Sequence, residues 1–128
     1  MTSTLTEADL QKQVVDWLKI ALPPGCVFHH SPNEGKRHVA FKKKLKTMGT
    51  QSGWPDLEIF IPSDQAVHSI STSVFIELKR PGGKPRMSGT QLEMAQRLIL
   101  AGCHYGMAQS LGEVFDILDP LVRLKAGT

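Results

Sequence analysis

The chain has little cysteine, no long apolar run and no repeat, and each shortage removes a class of protein. Cys26 and Cys103 are the only cysteines in 128 residues, too few for the disulfide framework of a small secreted domain. Each is flanked by apolar or strand-forming neighbours, which fits reduced, buried thiols. No apolar stretch approaches the length that spans a bilayer, so no membrane partner is expected. The amino terminus, Met1-Thr2-Ser3-Thr4-Leu5-Thr6-Glu7, lacks both the basic start and the hydrophobic stretch of a secretion signal, which predicts a cytoplasmic protein that is not secreted. Without an internal repeat or a low-complexity linker, residues 1–128 read as one domain around a single core, with no room for a second. Hydrophobic residues at 41% and charged residues at 21% are ordinary for a soluble globular protein.

Acid is missing where base is dense. Lys36, Arg37, Lys42, Lys43, Lys44 and Lys46 lie in one segment, and Lys79, Arg80, Lys84 and Arg86 in another, with no Asp or Glu in either. Most of the fifteen basic side chains are therefore clustered, and the net charge of +3 understates the local field. Such segments would neutralise phosphates and give binding that falls with salt, which makes these residues candidate DNA contacts. Lys42-Lys43-Lys44 is equally good solvated helix surface, so both readings stand for that run. Asn33 and Gly35 read as a turn needing positive backbone angles, with DNA contact as the alternative.

Periodicity and punctuation give the elements. Thr4-x-x-Glu7 is a capping-box pattern, and Leu10, Val14, Trp17, Leu18 and Ala21 recur at helical spacing up to Pro23-Pro24, predicting a helix over 5–22. Cys26 to His29 reads as a short strand, Ser31 to Arg37 as a loop, and His38 to Met48 as a basic helix stopped by Gly49. Leu57 to Ile61 and Val74 to Lys79 are the two best strands, joined by a polar, turn-rich segment expected to be a long mobile loop. Arg80 to Arg86, with its prolines and glycines, cannot be regular structure. Ser88 should cap a helix through Ala101, His104 to Ala108 should form another strand, and Ser110 with Glu113 should cap a last helix. That order predicts a mixed sheet with helices on both faces. The two best strands would pair antiparallel, and the unit from Val74 to Ala108 would be a right-handed parallel crossover.

The chemistry lies in Gly53-Trp54-Pro55-Asp56-Leu57 and Phe75-Ile76-Glu77-Leu78-Lys79. Asp56 and Glu77 sit in apolar, strand-forming runs, where an unmatched charge costs several kcal/mol. Along a strand Phe75, Glu77 and Lys79 face one way, and Val74, Ile76 and Leu78 the other. Magnesium takes oxygen ligands, often one or two carboxylates with waters and substrate phosphates, so Asp56 and Glu77 could share such an ion. Lys79 would point at the same site, where an ammonium can orient an attacking water and offset charge at phosphorus. A Glu-x-Lys triplet alone arises by chance. Behind an upstream Pro-Asp at its own strand it is far more specific.

The order Pro-Asp then Glu-x-Lys resembles the PD-(D/E)xK nuclease superfamily, and the longer pattern is similar to its virus-type replication-repair nuclease branch, the VRR-NUC domain. The similar residues are Thr6-Glu7-x-x-Leu10-Gln11, Pro32-Asn33-x-Gly35, Met48-Gly49-x-x-x-Gly53-Trp54-Pro55-Asp56-Leu57, Ile76-Glu77-Leu78-Lys79, Ser88-x-x-Gln91 and Ala101-Gly102. The resemblance implies a restriction-endonuclease-like α/β fold, a mixed sheet flanked by helices. It implies a magnesium or manganese ion held by Asp56, Glu77 and the backbone carbonyl of Leu78, catalysis assisted by Lys79, and supporting roles for Gln91 and for Glu7, the latter as a further ligand. It also implies cleavage of phosphodiester bonds in DNA, often branched DNA such as four-way (Holliday) junctions or flaps, in replication and repair. A homodimer, bacterial or bacteriophage-encoded, is the implied assembly. Residues 63–73 and the tail after Leu118 match nothing in the pattern.

Plainer readings remain beside these. Glu7 in a first helical turn is favoured by capping and by the helix dipole, and Ser88-x-x-Gln91 is a capping box in its own right. Cys26, His29, His30, Cys103 and His104 could gather around zinc, although their spacing fits no common zinc pattern. A non-catalytic nucleic-acid-binding module with the same fold is the rival to an enzyme; the Asp56, Glu77 and Lys79 set speaks against it.

Overall fold

The computed structural model describes residues 5–31 and 39–125. In chain order these form α1 (Glu7–Ala21), β1 (Val27–His30), α2 (Val39–Thr47), β2 (Leu57–Ile61), β3 (Thr72–Leu78), α3 (Gly89–Leu100), β4 (His104–Ala108) and α4 (Leu111–Leu118). The strands lie in the order β1-β2-β3-β4. The pairs β1/β2 and β2/β3 are antiparallel and β3/β4 is parallel, so the sheet is mixed.

Period-two patterning divides the sheet between two cores. Leu57, Ile59 and Ile61 of β2 and Val74, Ile76 and Leu78 of β3 point to one face, where Leu10, Val14 and Leu18 of α1 and Val114 and Leu118 of α4 cover them. Each such fully buried side chain contributes roughly 1.5–3 kcal/mol relative to exposure, enough to hold α1 against the sheet. On the opposite face Phe75 packs with Met94 and Leu98 of α3, flanked by Trp54, Cys103 and Tyr105. Helices therefore cover both faces, as the sequence predicts. No helix among the described residues is long and apolar enough to cross a membrane.

Several boundaries differ from the sequence reading, for local reasons. Thr4 lies outside the described residues, and the α1 cap is Thr6: its hydroxyl accepts from Asp9 N while Asp9 Oδ2 accepts from Thr6 N, both at 3.0 Å. Thr6-x-x-Asp9 closes the reciprocal pair two residues later than expected, which leaves Glu7 out of the capping box. Strand β1 starts at Val27, because Cys26 N is used in a turn onto the Pro23 carbonyl. At α4, Ser110 Oγ accepts from Glu113 N, but the Glu113 carboxylate reaches back to Gln109 N, so the box is not reciprocal.

The segment between β2 and β3 is anchored rather than loose. Thr72 and Ser73 already belong to β3, Ala66 is 1% exposed and bridges Val122, and Val67 N and Arg123 N donate to Leu121 O and Gln65 O. This pairing joins residues distant in sequence, each without strand periodicity, so neither half signals it alone. The same contacts fix the carboxy-terminal stretch, where Lys125 N also donates to Ala21 O.

Candidate active site

The β2/β3 register decides which acids meet. Leu57 pairs with Ile76, so the next step along the antiparallel ladder sets Asp56 opposite Glu77. Asp56 is pinned from two sides: its carbonyl accepts from Ser31 N at 2.8 Å, and its Oδ2 accepts from Leu78 N at 2.7 Å. A strand residue directs its N–H and C=O toward the same neighbour, which puts the Leu78 carbonyl on the edge that Asp56 occupies.

Glu77 is the one buried charged side chain among the described residues, at 4% exposure. Its Oε2 accepts from Gln91 Nε2 at 2.9 Å and lies 3.5 Å from Lys79 Nζ. Its Oε1 is buried with no partner. Lys79 Nζ donates to Gln91 Oε1 at 3.0 Å, and that same oxygen accepts from Ser88 N at 2.9 Å. Gln91 thus closes the α3 capping box and also binds Glu77 of β3 and Lys79 just beyond it.

Gly53 brings α3 this close to the loop before β2. Its φ of +75° is in the left-handed region, and a Cβ there would run into the Thr90 carbonyl and Gln91 N. Trp54 then turns inward, stacking edge-on against Phe75 and donating Nε1–H to Glu58 Oε1 at 2.9 Å. The same Glu58 oxygen accepts from Ser31 Oγ at 3.0 Å and lies 3.7 Å from His29 Nδ1. Glu58 was not singled out from sequence. The signal was present, since it lies two residues after Asp56 and so on the same strand face.

Burial and mutual repulsion set the electrostatics. Removal from water and the neighbouring Asp56 charge push the Glu77 carboxyl up to about 8, and Lys79 offsets this only in part. Burial also raises Asp56, against the pull of the Leu78 amide, and raises Glu7, to which the Asp56 charge adds. Tyr105 stands behind Glu77, its hydroxyl buried without a partner and its pKa raised by burial and by the Glu77 and Asp56 charges.

A cleft of about 780 Å³ is lined by Lys42, Lys46 and Lys79 together with Glu7, Asp56 and Glu77. Asp56 and Glu77, the latter with an orphaned buried oxygen, form a carboxylate pair of the kind that fits a hard divalent cation. Among the described residues no three His, Cys, Asp or Glu side chains group closely enough to hold an ion, so a cation on this pair would need waters or substrate oxygens for its other ligands. The zinc alternative fails on topology, because β1, beside Cys26, and β4, with His104 and the preceding Cys103, are opposite edges of the sheet, roughly 14 Å apart.

Of the basic residues, Lys42 and Lys46 line the cleft. Lys43 and Lys44 are exposed on α2 without lining it, and Asn33, Lys36 and Arg37 lie outside the described residues. Arg80, Lys84 and Arg86 are exposed in the turn after β3, which Gln109 Nε2 braces by donating to the Arg80 and Gly83 carbonyls.

Neither a family model nor a curated protein matches the sequence. A solved structure described as a VRR_NUC domain protein superposes with a TM-score of 0.70 at 28% identity, over 92% of this chain and 88% of that one. The chain has a VRR-NUC fold. Likeness over nearly the whole length of both chains extends to the helices on each face and the mixed sheet, a nuclease-family architecture. The VRR-NUC resemblance read from short motifs is thereby matched in three dimensions.

Proposed function

We propose that this protein is a metal-dependent DNA endonuclease that hydrolyses phosphodiester bonds, with branched DNA as its preferred substrate. The observation that carries this reading is the meeting of Asp56 and Glu77 across β2 and β3, with Lys79 held beside them by Gln91. Asp56, Glu77 and the Leu78 carbonyl would hold magnesium or manganese, with Glu7, whose carboxyl feels the Asp56 charge, on the wall of the same cleft. Such an ion, when bound, supplies positive charge for a phosphate and acidifies a water.

The chain's own residues account for the remaining work. Lys79, fixed by the Gln91 oxygen, presents an ammonium that can hold the attacking water or a phosphate oxygen in line. Gln91 prevents that ammonium from collapsing fully onto Glu77, since it binds both at once. Lys42 and Lys46, from one face of α2, would receive the flanking phosphates. Two such clefts in a homodimer would suit the two strands of a symmetric junction.

The test is cleavage of labelled linear, flapped, splayed and four-way DNA with magnesium, with manganese and with chelator, beside a Glu77→Gln control. Cutting that needs the ion and vanishes in the control is expected. Chelator-insensitive cutting, or equal cutting by the control, would refute the assignment.

A further inference from the structure

A second cleft of about 330 Å³ opens beside the first, and the two share Lys46, Thr50, Gln51, Ser52 and Thr90. From that shared wall it runs along α3 to Glu93, Met94 and Arg97. Thr90, Glu93, Met94 and Arg97 follow helical spacing, so they form one stripe, with the buried Met94 as floor and Arg97 at the far end. Arg97 lies six residues beyond Gln91, roughly 9 Å along the helix axis. Neither Lys46 nor Arg97 has an ion-pair partner among the described residues, although Glu93 is one turn from Arg97. An unpaired guanidinium and an unpaired ammonium at the two ends of a hydroxyl-lined groove match the spaced anions of a polynucleotide backbone.

We propose that this second cleft is a backbone subsite for the nucleic-acid strand flanking the scissile bond, with Arg97 as its terminal phosphate contact. The proposal rests on the nuclease reading and adds a direction to it: the substrate leaves the Asp56–Glu77 centre past Lys46 and along α3. Glu93 acts against binding there and limits affinity for unselective duplex.

The test uses the full chain in a Glu77→Gln background with magnesium. Fluorescence anisotropy would follow a long duplex and a short one that reaches no further than the first cleft. Arg97→Gln should weaken the long duplex on the order of fivefold and flatten the slope of log affinity against log salt by about one, leaving the short duplex unchanged. Glu93→Gln should shift affinity for the long duplex the other way. Both side chains are exposed, so thermal melting should match the parent. Unchanged affinity and salt slope in Arg97→Gln, in a protein whose parent cuts DNA, would overturn the subsite alone. A parent that neither binds nor cuts any DNA would overturn the nuclease reading and the subsite with it.

Discussion

Gln91 and Lys79 meet at 3.0 Å through the same Gln91 oxygen that accepts from the first amide of the α3 cap. Helix start and candidate catalytic lysine are therefore one hydrogen-bonded unit, and a substitution at Gln91 should register in both stability and turnover. Gln91→Ala removes half of a capping box, an expected loss of about 1 kcal/mol. It also frees Lys79 to close on Glu77. Denaturant melts with single-turnover cleavage would separate the effects: turnover should fall at least tenfold where stability changes little, and parental turnover would show that Gln91 only caps.

Lys79→Ala removes the ammonium from the cleft wall, where the side chain is only 17% exposed and faces Glu77. We expect cleavage to drop by about 10² or more, the usual scale for losing a group that stabilises developing charge. DNA affinity should hardly move, because Lys42 and Lys46 still face the cleft. Cutting as fast as the parent would disprove the role given to Lys79.

Glu77 makes a pH prediction for the ion-free protein. Its folded pKa is raised to about 8 from an ordinary 4.5, so between those values the folded state holds more protons than the unfolded one. Stability conferred by the protonated carboxyl is then present at low pH and lost as pH climbs through this window, at most about 1.4 kcal/mol per pH unit. Asp56, also raised, acts in the same direction. Urea melts in chelator should show this decline, Glu77→Gln should reduce it, and magnesium should restore stability at the alkaline end. A flat profile in chelator would contradict the buried-charge account.

Much of this was legible in the sequence because the signals were local. The period of two in Val74 to Leu78 set Glu77 on the face opposite the aliphatic core, and Ser88-x-x-Gln91 marked the start of α3 to the residue. The link from Gln91 to Glu77 and Lys79 was not legible, since it depends on how α3 seats against the sheet, and only the fold brings Thr90 and Gln91 up against Gly53 in the loop before β2. The strand face of Glu58 follows from its spacing to Asp56, but its partners do not, because Trp54 and Ser31 come from two different loops. The sequence pattern points to Thr4 with Glu7 as the capping box, whereas Thr6 and Asp9 close it, which leaves Glu7 outside the box and on the cleft wall.

Helix α2 offers a test of direction rather than of charge count. Sequence points equally to Lys42, Lys43, Lys44 and Lys46, yet only Lys42 and Lys46, one turn apart, line the cleft. Both double alanine variants remove the same charge from the same helix, so long-range attraction falls equally in each. Only the Lys42→Ala, Lys46→Ala pair removes phosphate contacts at the cleft. That pair should weaken DNA binding on the order of tenfold or more and flatten its salt slope by one to two, while Lys43→Ala, Lys44→Ala should slow association modestly at low salt and leave the slope near the parent's. Stopped-flow association rates and equilibrium titrations over a salt series would distinguish them. Equal effects of the two pairs would mean that α2 contributes through its field and not through contacts at the cleft.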